Sequence, residues 1–91
     1  MMKIDSTTVW SNSSAHAVLA TALTEAMQAL YQLGEQQADQ AASISGLARQ
    51  NLTFELESVS HNVTHFPGGL FSTPRYVASA VAVVAIYDLN Q

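Results

Sequence analysis

The sequence predicts an α+β domain in which one long N-terminal helix packs on a small antiparallel hairpin or on the C-terminal apolar segment. Three segments lead to that fold class. Residues 14–50 are rich in Ala, Leu, Gln, Glu and Met without proline, residues 51–60 alternate between apolar and polar, and residues 75–89 are almost continuously apolar. An all-α hairpin or bundle is the alternative, because the last two segments also have partial helical spacing.

The composition fits a single domain, residues 1–91, that associates with other copies. A chain of 91 residues buries only a modest core. Only 11% of its residues are charged, against roughly 25% in typical globular proteins. The polar surface therefore consists of Ser, Thr, Gln and Asn, and few like charges oppose self-association. No cysteine is present, which excludes disulfides and thiolate chemistry.

The basic residues are too few for a nucleic-acid-binding protein. They are Lys3, Arg49 and Arg75, and the formal net charge is −4, whereas nucleic-acid binding requires several phosphate contacts. The most apolar stretch, residues 76–87, is about half as long as a membrane-spanning helix, so we expect no membrane span. The N-terminal stretch lacks the apolar segment of a secretory signal peptide, which indicates a protein of the cytoplasm or of an assembled particle.

Residues 1–13 are mostly polar and contain one large aromatic side chain, that of Trp10. We predict an extended arm with Trp10 anchored on the core, because large aromatic residues are usually well buried. Asn12, Ser13 or Ser14 could cap the helix that follows.

The helix predicted for residues 14–50 has a broad apolar face. Its apolar residues step by four and three, as in a heptad seam, through Leu19, Leu23, Ala26, Leu30 and Leu33. Ile44 and Leu47 keep the same register. Alanines occupy flanking positions that would be charged in a two-stranded coiled coil. The face is therefore wider than one partner helix covers, and we expect sister copies to shelter it. A break at Gly34 would instead produce a helical hairpin.

Residues 51–60 have the alternation of a half-buried strand, with Leu52, Phe54 and Leu56 on one side. Residues 61–73 are predicted to be a loop, because Pro67 and two glycines interrupt regular structure.

Residues 75–89 are either a strand or a helix. Their β-branched, continuously apolar run favours a buried strand, whereas Thr73 followed by Pro74 is typical of a helix start. As a strand, the segment should pair with residues 52–59, and the resulting small sheet would need the long helix or other subunits to stabilise it.

A metal site is the sharpest chemical hypothesis that the sequence offers. Glu57, His61 and His65 are spaced four apart, and imidazole and carboxylate are common zinc ligands. On an extended strand, however, the three side chains would spread over about 26 Å. We therefore predict no metal site and no cofactor. The chain also lacks a nucleophile elbow and a phosphate loop, so we predict that it is not an enzyme.

These observations predict a non-enzymatic structural or assembly protein that forms a homo-oligomer or polymer of the phage, secretion or filament type. The predicted oligomer interface joins the helix seam to the C-terminal run: Leu19, Leu23, Leu30, Leu33, Ile44, Leu47, Val77, Val81 and Val84. One alternative is a small binding module that holds a partner peptide or an apolar ligand between the helix and the C-terminal segment. The other is a metal-binding protein that uses His61 and His65.

Overall fold

The computed structural model describes residues 1–91 and contains one α-helix and three strands. In chain order they are β1 (Met2–Asn12), α1 (Leu19–Ser45), β2 (Leu52–Phe66) and β3 (Arg75–Asp88). The strands form one antiparallel sheet in the order β1-β3-β2. The prediction of an α+β fold with a long helix and an antiparallel hairpin is confirmed, and the all-α alternative is wrong.

The N-terminal segment is a full strand and not a free arm. β1 pairs with β3 from Met2 opposite Asp88 to Asn12 opposite Ser79, which fits its Thr, Val and Trp content. The sheet pairing continues past β1, because the Ser13 amide donates to the Ala78 carbonyl at 2.8 Å. The predicted caps at residues 12–14 are therefore wrong. The helix begins later, at Leu19, and has no side-chain cap.

α1 is continuous over 27 residues, or about 40 Å. It ends at Gly46, whose φ of 70° is left-handed and whose amide donates to the Ala42 carbonyl. The predicted helix, residues 14–50, was thus too long at both ends. The alternative with a break at Gly34 is wrong, because Gly34 lies buried inside the helix. α1 does not combine the length and apolar character that a membrane-crossing helix requires.

β2 and β3 form a long hairpin. Their pairing runs from Leu52 opposite Asp88 to Phe66 opposite Arg75, so the predicted pairing of the two segments is confirmed. The predicted loop at residues 61–73 is too long, because β2 continues to Phe66 and only residues 67–74 connect the strands.

Small side chains dominate the contact between α1 and the sheet. Alanines on both elements are fully or almost fully buried, and the largest fully buried side chains are Leu30, Val84 and Ile86. Alanines let the helix approach the sheet closely, so one chain covers most of its own apolar helix face. Ser11 fixes this contact, since its hydroxyl donates to the Ala26 carbonyl at 2.7 Å.

Arg49 fastens the C-terminal half of α1 to the start of β2. Its guanidinium donates to Glu35 at 2.6 Å and to Asp39 at 2.9 Å, one helical turn apart, and to the Leu52 carbonyl at 3.0 Å. One planar side chain thereby holds two elements, which is the fork geometry that arginine provides.

Candidate functional site

The face of the sheet opposite α1 is covered by no other element of the chain. We call it the open face. Strand alternation places the following side chains on it: Lys3, Ser6, Thr8, Trp10 and Asn12 from β1; Thr53, Glu55, Glu57, Ser60, Asn62, Thr64 and Phe66 from β2; Arg75, Val77, Ser79, Val81, Val83, Ala85 and Tyr87 from β3. The open face is therefore apolar along its central strand and mostly neutral and polar along its edges.

Trp10 lies on the edge strand β1 of the open face, level with the middle of β3. It lies opposite Val81 on β3, and 70% of its surface is exposed, whereas its neighbour Val9 is buried against the helix. The expectation that Trp10 anchors on the core is therefore wrong. The sequence alternation of residues 7–12 indicated this exposure, because on a strand Trp10 shares its face with the polar Thr8 and Asn12 and not with Val9.

A hollow of about 230 Å³ lies beside Trp10 on the same face. Its lining includes side chains from all three strands: Trp10, Asn12, Ser60, Asn62, Ser79 and Val81. These six side chains are uncharged, and His61 also borders the hollow. The hollow can therefore receive an aromatic ring or an amide group without burying a charge.

One end of the open face carries a polar cluster that ties the three strands together. The Glu57 carboxylate accepts a hydrogen bond from the Tyr87 hydroxyl at 2.9 Å and one from the Lys3 ammonium at 3.2 Å. The hydrogen bond from Tyr87 contributes most to lowering the pKa of Glu57, and the hydrogen bond from Lys3 contributes next. The same contacts raise the pKa values of Lys3 and Tyr87. A carboxylate held ionised in this way is a weak proton acceptor, which fits a structural role better than a general base.

A β-bulge in β2 separates this cluster from the histidines. Ser58 has φ 53°, and the register shifts by one residue between Glu57 and Ser60. Glu57 consequently lies on the open face, whereas His61 lies on the helix side opposite Ala80. Glu57 and His61 therefore lie on opposite faces of the sheet, because the bulge reverses the alternation.

The structure does not bring His61 and His65 together. Both lie on β2, four residues apart in extended backbone, or about 13 Å. The ring of His65 stacks on Tyr76, with centroids 4.8 Å apart. No group of three or more His, Cys, Asp or Glu side chains is arranged to hold a metal ion.

Ser14, His16 and Glu25 meet between β1 and α1, but not in the order that nucleophilic catalysis requires. The Ser14 amide and hydroxyl both donate to Glu25 at 2.7 Å, and His16 binds the other carboxylate oxygen. These contacts lower the pKa of Glu25 to about 2, and the hydrogen bonds from Ser14 contribute most to the shift. In a catalytic triad the imidazole would accept the serine proton, whereas here both groups bind the carboxylate. The cluster therefore anchors the β1–α1 connection.

The residues predicted to form an oligomer interface fall into three groups. Leu30 and Val84 are fully buried within one chain, so they are core residues and their assignment to the interface is wrong. They are buried because β1 widens the sheet to three strands, which then covers the helix face. Half-buried positions are Leu23, Leu33 and Val77. The exposed ones are Leu19, Ile44, Leu47 and Val81, and Ile44 is the most exposed at 85%.

The loop between β2 and β3 exposes a second apolar feature. Leu70 and Phe71 are 95% and 101% exposed and form the outer end of the hairpin. Their side chains contribute nothing to the core of the single chain, and we call this pair the loop tip.

No protein-family model, curated protein or solved structure matches the chain. The exposed apolar features of the chain are the open face, the helix exterior and the loop tip.

Proposed function

We propose that the protein is a non-enzymatic structural subunit that associates with copies of itself through the open face of its sheet. The observation that carries the proposal is the composition of β3. Its run from Tyr76 to Tyr87 is apolar on both sides, as in strands that are covered on both faces. In the single chain α1 covers only one of them.

The properties of the open face support self-association. Trp10 is a residue type that commonly contributes most to binding at interfaces, and it lies beside the exposed Val81 and the half-buried Val83. The low charge of the whole chain, 11%, leaves little electrostatic repulsion between copies. The proposal keeps the homo-oligomer predicted from the sequence and the predicted interface residues Val77 and Val81, but it replaces the helix seam by the open face of the sheet.

Light scattering after size-exclusion chromatography tests the proposal with Trp10→Asp. The unaltered protein should have a mass well above the 9.7 kDa of one chain, and the variant should have the mass of one chain. A charge at this position would have to be buried without a partner in the assembly, whereas in the single chain it would face water. Circular dichroism should show the same secondary structure for both.

Two control variants separate the open face from the other exposed apolar features. Ile44→Asp alters the helix exterior, and the double substitution Leu70→Ser with Phe71→Ser alters the loop tip. Both should leave the mass of the assembly unchanged. A 9.7 kDa mass for the unaltered protein, or an assembly lost only in a control variant, would refute the proposal.

A further inference from the structure

The charges of the open face lie at its two ends. Glu55 and Glu57 lie opposite Ala85 and Val83, near the end of β3. Lys3 forms an ion pair with Glu57, so Glu55 is the acidic residue without a basic partner at this end. Arg75 lies at the start of β3, next to the connecting loop. Between these ends the face carries no charged side chain, so it is acidic at one end, basic at the other and neutral in the middle.

We propose that two copies pack open face to open face with their β3 strands antiparallel, related by a two-fold axis that crosses β3 at Ala80. This arrangement rests on the proposed function and specifies its partner, a second copy in one orientation. Ala80 lies midway between Arg75 and Ala85, so the axis brings Arg75 of each copy over Ala85 of the other. Glu55, which pairs with Ala85, is then within reach of the arginine side chain on the adjacent strand.

Charge complementarity decides the orientation. Two facing sheets can also pack with their strands parallel, about an axis along the strands. That arrangement would place Arg75 over Arg75 of the second copy, and like charges in contact are unfavourable. It would also exchange the two edge strands, so that Glu55 would lie over Ser6, the β1 partner of Ala85, and far from either arginine. Only the antiparallel arrangement joins the acidic end of one copy to the basic end of the other.

The centre of the open face is complementary to itself in the same orientation. We call a set of residues that lie opposite one another across the strands a row. With the axis at Ala80, the row of Trp10 and Val81 lies over the row of Asn12, Ser79 and Asn62 of the second copy. That second row lines the hollow of about 230 Å³. Each Trp10 therefore has an uncharged hollow to enter on the other copy, and the contact occurs twice, as two-fold symmetry requires.

The overlap of the two open faces has the size of a small, reversible interface. With the axis at Ala80, residues 75–85 of β3 and their partners on β2 overlap for about 36 Å, whereas β1 overlaps only from Trp10 to Asn12. Strands about 4.8 Å apart then give about 400 Å² per copy, and both copies together bury about 800 Å², so we expect a dissociation constant that can be measured.

Charge reversal tests the orientation through the dimer dissociation constant, measured by sedimentation at low ionic strength. Arg75→Glu should raise the dissociation constant about tenfold, because the symmetric dimer contains the contact twice. Glu55→Arg should also raise it. The double variant should return to within about twofold of the unaltered protein, and the effects should shrink in 1 M salt. The control Gln28→Glu, on the exposed side of α1, should have no effect.

The outcomes separate this arrangement from the proposed function. A dimer that is insensitive to both charge reversals, or a double variant that is no tighter than the single ones, would overturn the arrangement and leave self-association in place. A chain that remains monomeric at every concentration would overturn both.

A distance between spin labels provides an independent readout. The chain has no cysteine, so Thr53→Cys gives a single labelling site at the end of the open face, opposite Tyr87. The antiparallel dimer predicts about 45 Å between the two labels, from seven residues on either side of the axis at 3.3 Å each. A separation below about 20 Å would mean that the strands are parallel and would contradict the proposal.

Discussion

At the scale of single residues, Glu25 connects the end of β1 to the first turns of α1. Its carboxylate binds two donors of Ser14 and the ring of His16, and its pKa is lowered to about 2 from 4.5. The sequence could not reveal this contact, since Ser14 and His16 were expected to belong to the helix and lie instead in the connection before it. Its geometry depends on where β1 ends.

Glu25 should make the folded protein less stable in acid. A group whose pKa is depressed on folding contributes stability above its unfolded pKa, and that contribution is lost as the pH falls through the folded pKa. The contribution of Glu25 should therefore be complete above pH 4.5 and disappear towards pH 2. Glu25→Gln should lower the free energy of unfolding at pH 6 and flatten its decline between pH 4.5 and 2, as measured by urea denaturation.

Ser14→Ala gives a graded control for the same measurement. It removes the hydroxyl donor but keeps the Ser14 amide donor to Glu25, so its acid profile should lie between those of the unaltered protein and Glu25→Gln. Identical profiles for all three proteins would show that the cluster does not contribute to stability.

At the scale of the elements, Gly34 shows why helix propensity misled the sequence prediction. Glycine costs about 1 kcal/mol relative to alanine inside a helix, and a break at Gly34 followed from that cost alone. In the fold, an added Cβ would lie 2.3 Å from the ring of Phe54. The glycine therefore allows β2 to place an aromatic ring directly against α1, a contact that a local pattern cannot express.

Gly34→Ala should destabilise the protein by about 1 kcal/mol, because overpacking costs about 1–3 kcal/mol and the gain in helix propensity offsets only part of it. In the background Phe54→Ala the ring is absent, and the same substitution should stabilise by up to about 1 kcal/mol. Denaturant midpoints of the four proteins complete the cycle. Stabilisation by Gly34→Ala in both backgrounds would show that the ring moves aside at no cost.

The presence of β2 and β3 was predicted better from the sequence than their boundaries were. The alternation of residues 51–60 and the β-branched run after Arg75 identified both partners of the hairpin, because side-chain periodicity is a local signal. The continuation of β2 to Phe66 was missed, since residues 61–66 are mostly polar and, apart from the half-buried Val63, exposed, and their partners on β3 determine their conformation. The strand in residues 1–13 was missed for the same reason.

At the scale of the whole molecule, the sequence indicated a surplus of apolar surface but not its location. The surplus was assigned to the helix seam because residues 1–13 were expected to be an arm. As β1 they widen the sheet to three strands, which then buries Leu30 and the alanines of α1. The surface left over is the open face, where Trp10 and Val81 remain exposed.

The fluorescence of Trp10 tests most directly whether a second copy covers the open face. It is the only tryptophan in the chain, so its emission reports on that face without a label. We predict blue-shifted emission at high protein concentration and a red shift on dilution that follows the loss of mass in light scattering. Emission typical of a water-exposed tryptophan, unchanged from the highest to the lowest concentration, would contradict the account.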